Sequence, residues 1–293
     1  SELQYELEQI VEEKLLALKA GPNSQLVKDA YLVMMDPRNG EVLSMVGKRV
    51  GEDEDGKRIV SDYAFGTFTA AHEMGSTVKG ATLLTGYAQD AVEMGEVQID
   101  EPLKFAGTKQ KNSIFNTTPF NRIPLNDIMA IERSSNVYMF KIALEIANRQ
   151  YQYNSPLSVA PESFNLMRNS FAQFGLGAAT GIDLPNEGTG YPGGTYPGPK
   201  LLDLAIGQFD TYTPMQLAQY ISTIANDGYR MQPHVVKEIR QASPDGETLG
   251  PIETIIEPKI MNRIDNTQEE IDRVKEGMRN VYIGSSGSAR AQF

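Results

Sequence analysis

In the stretch AHEMGSTVKGATLLTGY, residues 71–87, Ser76 stands three positions before Lys79. Residues i and i+3 share a helix face, so a helix here would set hydroxyl and amine side by side. A neutral amine next to a serine is a base for a nucleophile, and a helix start favours developing negative charge. The same letters also describe an ordinary helix N-terminus, where a small hydroxyl after Gly accepts from the first unpaired N–H groups. A second place of this kind is IERSSNVYMFKIALEI, residues 131–146, in which Ser134 and Asn136 form an S-x-N triplet ahead of an apolar run. Helix capping is again the plain reading, and the triplet recurs at Ser163–Asn165. The chemical reading is that a Ser-Lys pair needs a second hydroxyl to pass a proton to the leaving group, and an amide to hold an amide substrate.

Composition narrows the chemistry further. The 293 residues carry 38 acidic against 27 basic side chains, a net charge of −11, which repels polynucleotides. With 40% hydrophobic residues the chain has enough apolar material for one large core or two modest ones. There is no Cys, so disulfides, thiolate metal sites and Cys nucleophiles are excluded. His72 and His234 alone make a His-rich metal cluster or a Ser-His-Asp triad improbable. A lysine is therefore the expected base for any activated serine, and neither a cofactor nor a metal is expected. No run of 18 apolar residues occurs, and SELQYELEQIVEEK at the start has no basic or apolar targeting segment.

The elements that must position these residues follow from periodicity and punctuation. Leu3, Leu7, Ile10, Val11, Leu15 and Leu18 recur at helical spacing, predicting a helix over residues 2–19 that ends at AGPNS. Two β-rich runs around Asp36-Pro37-Arg38-Asn39-Gly40 predict a hairpin, apolar enough to belong inside a covered sheet. GEDEDGKR, residues 51–58, reads as a solvated acidic turn without a metal site. A mostly buried helix is expected from Ser76 to Tyr87, and one or two more from Leu125 to Ala147. Residues 148–165 read as an irregular connection and GTGYPGGTYPGPK, residues 188–200, as a surface loop. Residues 213–228 read as a helix with Thr213 as N-cap, Pro214 at the first position, Gln216 at N3 and Gly228 as the stop. YRMQPHVVKEIR then suggests a return to strand. The order points to an α/β protein of α+β type, a sheet with strands from both chain ends and a helical lobe inserted between them.

Taken together, these segments resemble the penicillin-binding proteins, in particular the transpeptidase domain of the monofunctional class B group, whose motifs include S-x-x-K, an S-D-N-type triplet and K-T-G. MGSTVKGAT is similar to the nucleophile turn, SSNVYM to the second motif, and DPRNGEVLSMV to the first hairpin. FGLGAATGIDLPNEGTGYPG and IGQFDTYTPMQLAQYISTIANDG resemble the stretches that follow the helical lobe. The likeness runs from residue 28 onward. No K-T-G or K-S-G occurs; SSGSA, residues 285–289, has Ser285 where the lysine belongs and reads as the loop before that strand.

The resemblance implies a penicillin-binding, serine β-lactamase-like fold, an antiparallel sheet flanked by helices with an inserted all-helical lobe. It implies one transpeptidase domain over residues 1–293 lacking its C-terminal strands, with a membrane anchor and a pedestal domain outside this chain. Ser76 becomes the nucleophile, Lys79 its base, and Ser134 and Asn136 the catalytic and substrate-binding second motif, while Ser163–Asn165 stays structural. The implied reaction is D,D-transpeptidation of peptidoglycan stem peptides through a serine acyl-enzyme, with β-lactams acylating Ser76. The oxyanion would be held by the Ser76 N–H and one donor from the absent third motif, so the chain as it stands is expected to be a poor acyl-enzyme former. Implied partners are stem peptides, β-lactams, a glycan-polymerising protein and other cell-wall assembly proteins, at the extracytoplasmic face of the bacterial cytoplasmic membrane. The rivals are a tethered β-lactam sensor or non-catalytic scaffold, and a serine β-lactamase or D,D-carboxypeptidase. The E-x-x-L-N string of class A β-lactamases is absent, because Arg122 precedes Leu125-Asn126 at the Glu position.

Overall fold

The structure is a computed structural model that describes residues 1–292 other than 195, 196, 244, 245 and 247. The chain begins α1 (Glu2–Ala20), β1 (Asp29–Met35), β2 (Val42–Glu52), β3 (Arg58–Asp62) and α2 (Gly66–Thr69). A 3-10 turn, Gly75–Val78, leads into α3 (Lys79–Ala88), followed by β4 (Gln98–Asp100), β5 (Ile123–Leu125), α4 (Asp127–Glu132), α5 (Asn136–Ile146) and α6 (Pro161–Gln173). Then come α7 (Pro199–Ala205), α8 (Pro214–Ala225), β6 (Tyr229–Met231), β7 (Glu238–Arg240), β8 (Ile252–Ile255), β9 (Ile260–Arg263) and α9 (Gln268–Ile283). Two compact units result. One comprises residues 1–71, 178–190 and 213–262, the other residues 72–177, 191–212 and 263–293.

The first unit is built on an antiparallel sheet of order β1-β2-β3, with α1 on β2 and α8 on β1. The hairpin falls where the sequence predicts it, Val33 opposite Met45, with the Asp36 N–H donating to the Glu41 carbonyl. Its burial is uneven. Ser44, Val46 and Lys48 of the central strand β2 are buried, whereas among the described residues β1 is an edge strand with mostly half-buried side chains. The Lys48 Nζ is compensated by Glu8 at 3.3 Å and Glu12 at 3.8 Å, both on α1. Gln4 on the same helix accepts from the Ser44 hydroxyl at 2.7 Å, fixing the helix register on the sheet.

The expected sheet with strands from both ends is met in part. All three of its strands come from residues 29–62, while β6 pairs with β9 and β7 with β8. A parallel bridge, Glu41–His234, ties the later segment to the hairpin, through His234 N–H to the Gly40 carbonyl at 3.0 Å. Pro233, which has no N–H to donate, interrupts the run that would have continued β6. The α8 helix carries the predicted capping box, Thr213 and Gln216 exchanging bonds, and Asp227 and Gly228 both take positive φ just beyond it.

Among the described residues, the regular structure of the second unit is helical apart from the short β4–β5 pair and isolated bridges. Its centre is α3, buried from Lys79 through Tyr87, against α5, α6 and α9. Val137, Met139, Phe140, Ile142 and Ala143 give α5 an almost wholly buried surface. The Thr82 hydroxyl donates to the Ala205 carbonyl at 2.7 Å, joining α3 to the end of α7. Asp127, fully buried at the start of α4, accepts from Arg273 Nε and Nη2 at 2.6 Å each and from the Tyr87 hydroxyl at 2.5 Å. Burial alone would raise this carboxyl's pKa, but Arg273 and the donors around it hold it below the ordinary value.

Three expectations are corrected here. The Ser76–Tyr87 helix opens with a 3-10 turn, and α-helix begins only at Lys79. The connection expected over residues 148–165 ends at Ala160, because Pro161 takes the first position of α6; Ser163 and Asn165 lie inside that helix. The loop over residues 188–200 gives way to α7 at Pro199, and its residues 195 and 196 lie outside the described ones. SSGSA forms a turn after α9 whose Ser286 N–H donates to the Glu132 carboxylate at 2.9 Å. Among the described residues, no helix is long and apolar enough to cross a membrane.

Candidate active site

All four residues singled out in the sequence lie in the second unit. Ser76 sits exposed in the 3-10 turn, which closes when the Lys79 N–H donates to the Ser76 carbonyl. Three residues per turn make i and i+3 eclipse, so Ser76 and Lys79 share a face more closely than on an α-helix. The turn depends on two glycines. Gly75 (φ +56°) donates its N–H to the Gly207 carbonyl at 2.9 Å, and a Cβ on Gly207 (φ +71°) would lie 2.3 Å from the Gly75 oxygen. Only glycine allows that approach at that dihedral. The strand-like bridge between His72 and Tyr212, with both N–H to O distances 2.9 Å, fixes the chain entering the turn.

Lys79 is 2% exposed, and its Nζ reaches three acceptors: the Ser134 carbonyl at 2.8 Å, the Ser134 hydroxyl at 2.9 Å and Asn136 Oδ1 at 2.7 Å. Burial pulls its pKa down to about 7, against the opposing pull of the Asp100 charge. Neutral and protonated amine are therefore both populated near neutrality. A hydroxyl placed like that of Ser134 accepts from an ammonium and, rotated, can donate to a neutral amine.

Ser134 takes a left-handed backbone conformation, φ +55°. This turns its carbonyl and hydroxyl toward the same nitrogen. Ser135, the N-cap of α5, accepts from the Tyr138 N–H, so the middle serine of the triplet does the capping and frees Ser134 for Lys79. The Asn136 amide is occupied at both ends, Oδ1 by Lys79 and Nδ2 by the Asn112 carbonyl at 2.9 Å. In this arrangement Asn136 orients the lysine.

Sequence reasoning missed the group beneath the triplet. Asp100 is buried and accepts from the Ser113 and Ser135 hydroxyls at 2.5 Å each and from Asn116 Nδ2 at 3.0 Å. Ser113 also accepts from the Asn136 N–H at 2.9 Å. These residues stand far apart in the chain and belong to no local motif. The Ser163–Asn165 triplet plays no part in this cluster. Among the described residues, no group of three or more His, Asp or Glu side chains is arranged to hold a metal ion.

The cluster thus holds an exposed serine on a tight turn and, three residues on, a buried lysine of lowered pKa that shares the Ser134 hydroxyl. The chain belongs to the penicillin binding protein transpeptidase domain family, whose model matches residues 30–293. It is 44% identical over 292 residues to penicillin-binding protein 2A of Bacillus subtilis, an alignment covering 100% of this chain and 40% of that protein. It is 24% identical over 288 residues to the peptidoglycan D,D-transpeptidase MrdA of Haemophilus influenzae, covering 89% of this chain and 40% of that one. Among solved structures, penicillin-binding protein 2B of Streptococcus pneumoniae strain 5204 superposes with a TM-score of 0.90 at 31% identity, over 98% of this chain and 47% of that one. The chain thus spans about two fifths of the length of the curated relatives it matches.

Proposed function

We propose that this chain carries out acyl transfer in a peptidoglycan D,D-transpeptidase. The observation that carries the reading is the buried Lys79 amine, held by Ser134 and Asn136 with a pKa near 7, one 3-10 turn from the exposed Ser76. Family membership and the name of the MrdA relative support the substrate class. In the proposed sequence, neutral Lys79 takes the Ser76 proton as the oxygen attacks the penultimate D-Ala carbonyl of a stem peptide. The C–N bond to the terminal D-Ala breaks, and the proton passes from Lys79 through Ser134 to the departing nitrogen. An amine from a neighbouring strand then attacks the ester, and its proton returns to Ser76 by the same route. The Ser76 N–H is the oxyanion donor this sequence supplies; the K-T-G element expected to supply another is not among the 293 residues.

On this reading β-lactams acylate Ser76 as substrate mimics, residues 1–293 form the transpeptidase domain, and the setting is the extracytoplasmic face of the membrane beside a glycan-polymerising partner. Prolonged exposure to a fluorescent penicillin, followed by peptide mapping, tests it. The label is expected on the Ser76 peptide and lost in Ser76→Ala. Label on another residue, or none in the parent, overturns the reading.

A further inference from the structure

The helical unit bears two open cavities, about 600 and 610 Å³ in volume, that share Tyr151 as a lining residue. The acyl-transfer site uses neither. Pro102, Pro119, Phe120 and Tyr153 wall the second cavity, beside Glu101 and Gln110. Phe120 is 81% exposed and Tyr153 68% exposed. Phe120 also holds a left-handed backbone, φ +62°, which a bulky side chain adopts only at a cost. A ring four-fifths in water repays little of that strain through packing, so the strain points to a role for the ring in solvent.

The first cavity, which Tyr151 also lines, has Gln98, Glu96, Glu145 and Gln150 along it. The Gln98 Oε1 is buried without a hydrogen-bond partner among the described residues. Carboxylates outnumber cations along the pair of cavities, which repels polyanions such as nucleic acid or phosphate polymers. Exposed aromatic faces set among amides and carboxylates instead suit an uncharged ligand rich in hydroxyls. The C–H face of a sugar ring lies on the aromatic ring, while its hydroxyl and acetamido groups meet the side-chain donors and acceptors. Two cavities on either side of one shared lining residue would be spanned by a linear oligomer rather than a single ring, and each has the size of an ordinary ligand site.

The groove shares its scaffold with the Lys79 pocket. Phe120 precedes Asn121, whose Nδ2 donates to Asn116 Oδ1 at 2.8 Å; Asn116 Nδ2 in turn reaches Asp100 Oδ1 at 3.0 Å, and Asp100 accepts from Ser135 at 2.5 Å. Glu101 follows Asp100 directly. We propose that this groove binds a neutral amino-sugar oligomer, the glycan strand whose stem peptide is presented to Ser76. The identity of the strand rests on the acyl-transfer reading above, whereas the sugar chemistry of the groove does not.

Titration of the parent chain with the tetramer of N-acetylglucosamine, followed by calorimetry or amide chemical shifts, tests it. Saturable binding is expected, weakened about tenfold or more by Phe120→Asn and by Tyr153→Ala, and unchanged by Ser76→Ala. Asn tolerates the left-handed region, so Phe120→Asn should melt at or above the parent temperature. Binding absent from the parent, binding indifferent to both groove variants, or binding displaced by polyphosphate overturns the proposal. A lowered melting temperature for Phe120→Asn would show that the ring serves packing and also overturns it. Penicillin labelling of Ser76 in the same preparations separates the two readings. Labelling without tetramer binding removes the groove proposal alone, and tetramer binding without labelling removes the acyl-transfer reading while supporting the groove's ligand class.

Discussion

The Lys79 amine lies 2.9 Å from the Ser134 hydroxyl although 55 residues separate the two in sequence. Ser134 meets it from a left-handed backbone, and its carbonyl binds the same nitrogen at 2.8 Å. Strain of this kind, on the order of 1–3 kcal/mol, persists where the surroundings over-determine it. Here Ser135, Ser113 and Asp100 supply that constraint from below.

On the proposed mechanism the neutral Lys79 amine is the reactive form, so acylation of Ser76 by penicillin should rise with pH through about 7 and level off above it. Stability should follow the same group. Its folded pKa of about 7 lies below the ordinary 10.5, so between those values the unfolded chain holds a proton the folded chain lacks. The destabilisation is full below about pH 7, on the order of 5 kcal/mol, and fades as pH rises toward 10.5. Urea unfolding of the parent should thus show stability increasing across that window relative to Lys79→Met. Parallel curves for the two proteins would refute the burial effect.

Ser134→Ala and Ser134→Gly should both lower the acylation rate by about 10²–10⁴ at unchanged pH, through loss of the relay. They should differ in stability. Alanine keeps the unfavourable left-handed backbone at φ +55°, whereas glycine relieves it, by about 1 kcal/mol. Timed labelling with a fluorescent penicillin alongside thermal melts checks both halves; an alanine variant as fast as the parent would remove Ser134 from the proton path.

Gly207→Ala should cost about 2–4 kcal/mol and slow acylation, because the added Cβ meets the Gly75 oxygen at 2.3 Å in a backbone of φ +71°. The disturbed partner is the turn that carries Ser76. Full labelling at the parent rate, with normal stability, would show that the turn does not rely on this contact.

Asp100→Asn should destabilise the protein by about 1–3 kcal/mol, since Ser113, Ser135 and Asn116 all donate to this one carboxylate. The Asp100 charge raises the Lys79 pKa against the larger effect of burial. Its removal should therefore move the midpoint of the acylation pH profile downward. A midpoint displaced upward would contradict the assigned sign.

The sequence carried the parts of this protein that local chemistry controls. Helix α1 is visible in its apolar period, α8 in Thr213, Pro214 and Gln216, and the first hairpin in Asp36-Pro37-Arg38-Asn39-Gly40. The pairing of Ser76 with Lys79 is legible for the same reason, since a spacing of three places two side chains on one face of any helical turn. Helix α9 is marked in the sequence by Thr267 and Glu270, which form a capping box. Such signals act within about four residues and need no knowledge of the remaining chain.

Tertiary structure alone decided the rest. Spacing alone leaves Ser134 and Ser163 alike as helix caps; the family resemblance singles out Ser134, and only the fold shows its hydroxyl at 2.9 Å from the Lys79 amine. The lowered pKa of Lys79 is a property of burial, and nothing in S-x-x-K states that the amine will lie in a helical core. Asp100 and Gly207 act on the site across 35 residues to Ser135 and through a backbone contact with Gly75. Interactions of that reach depend on how helices and turns from distant segments close around one another, where sequence spacing no longer measures distance.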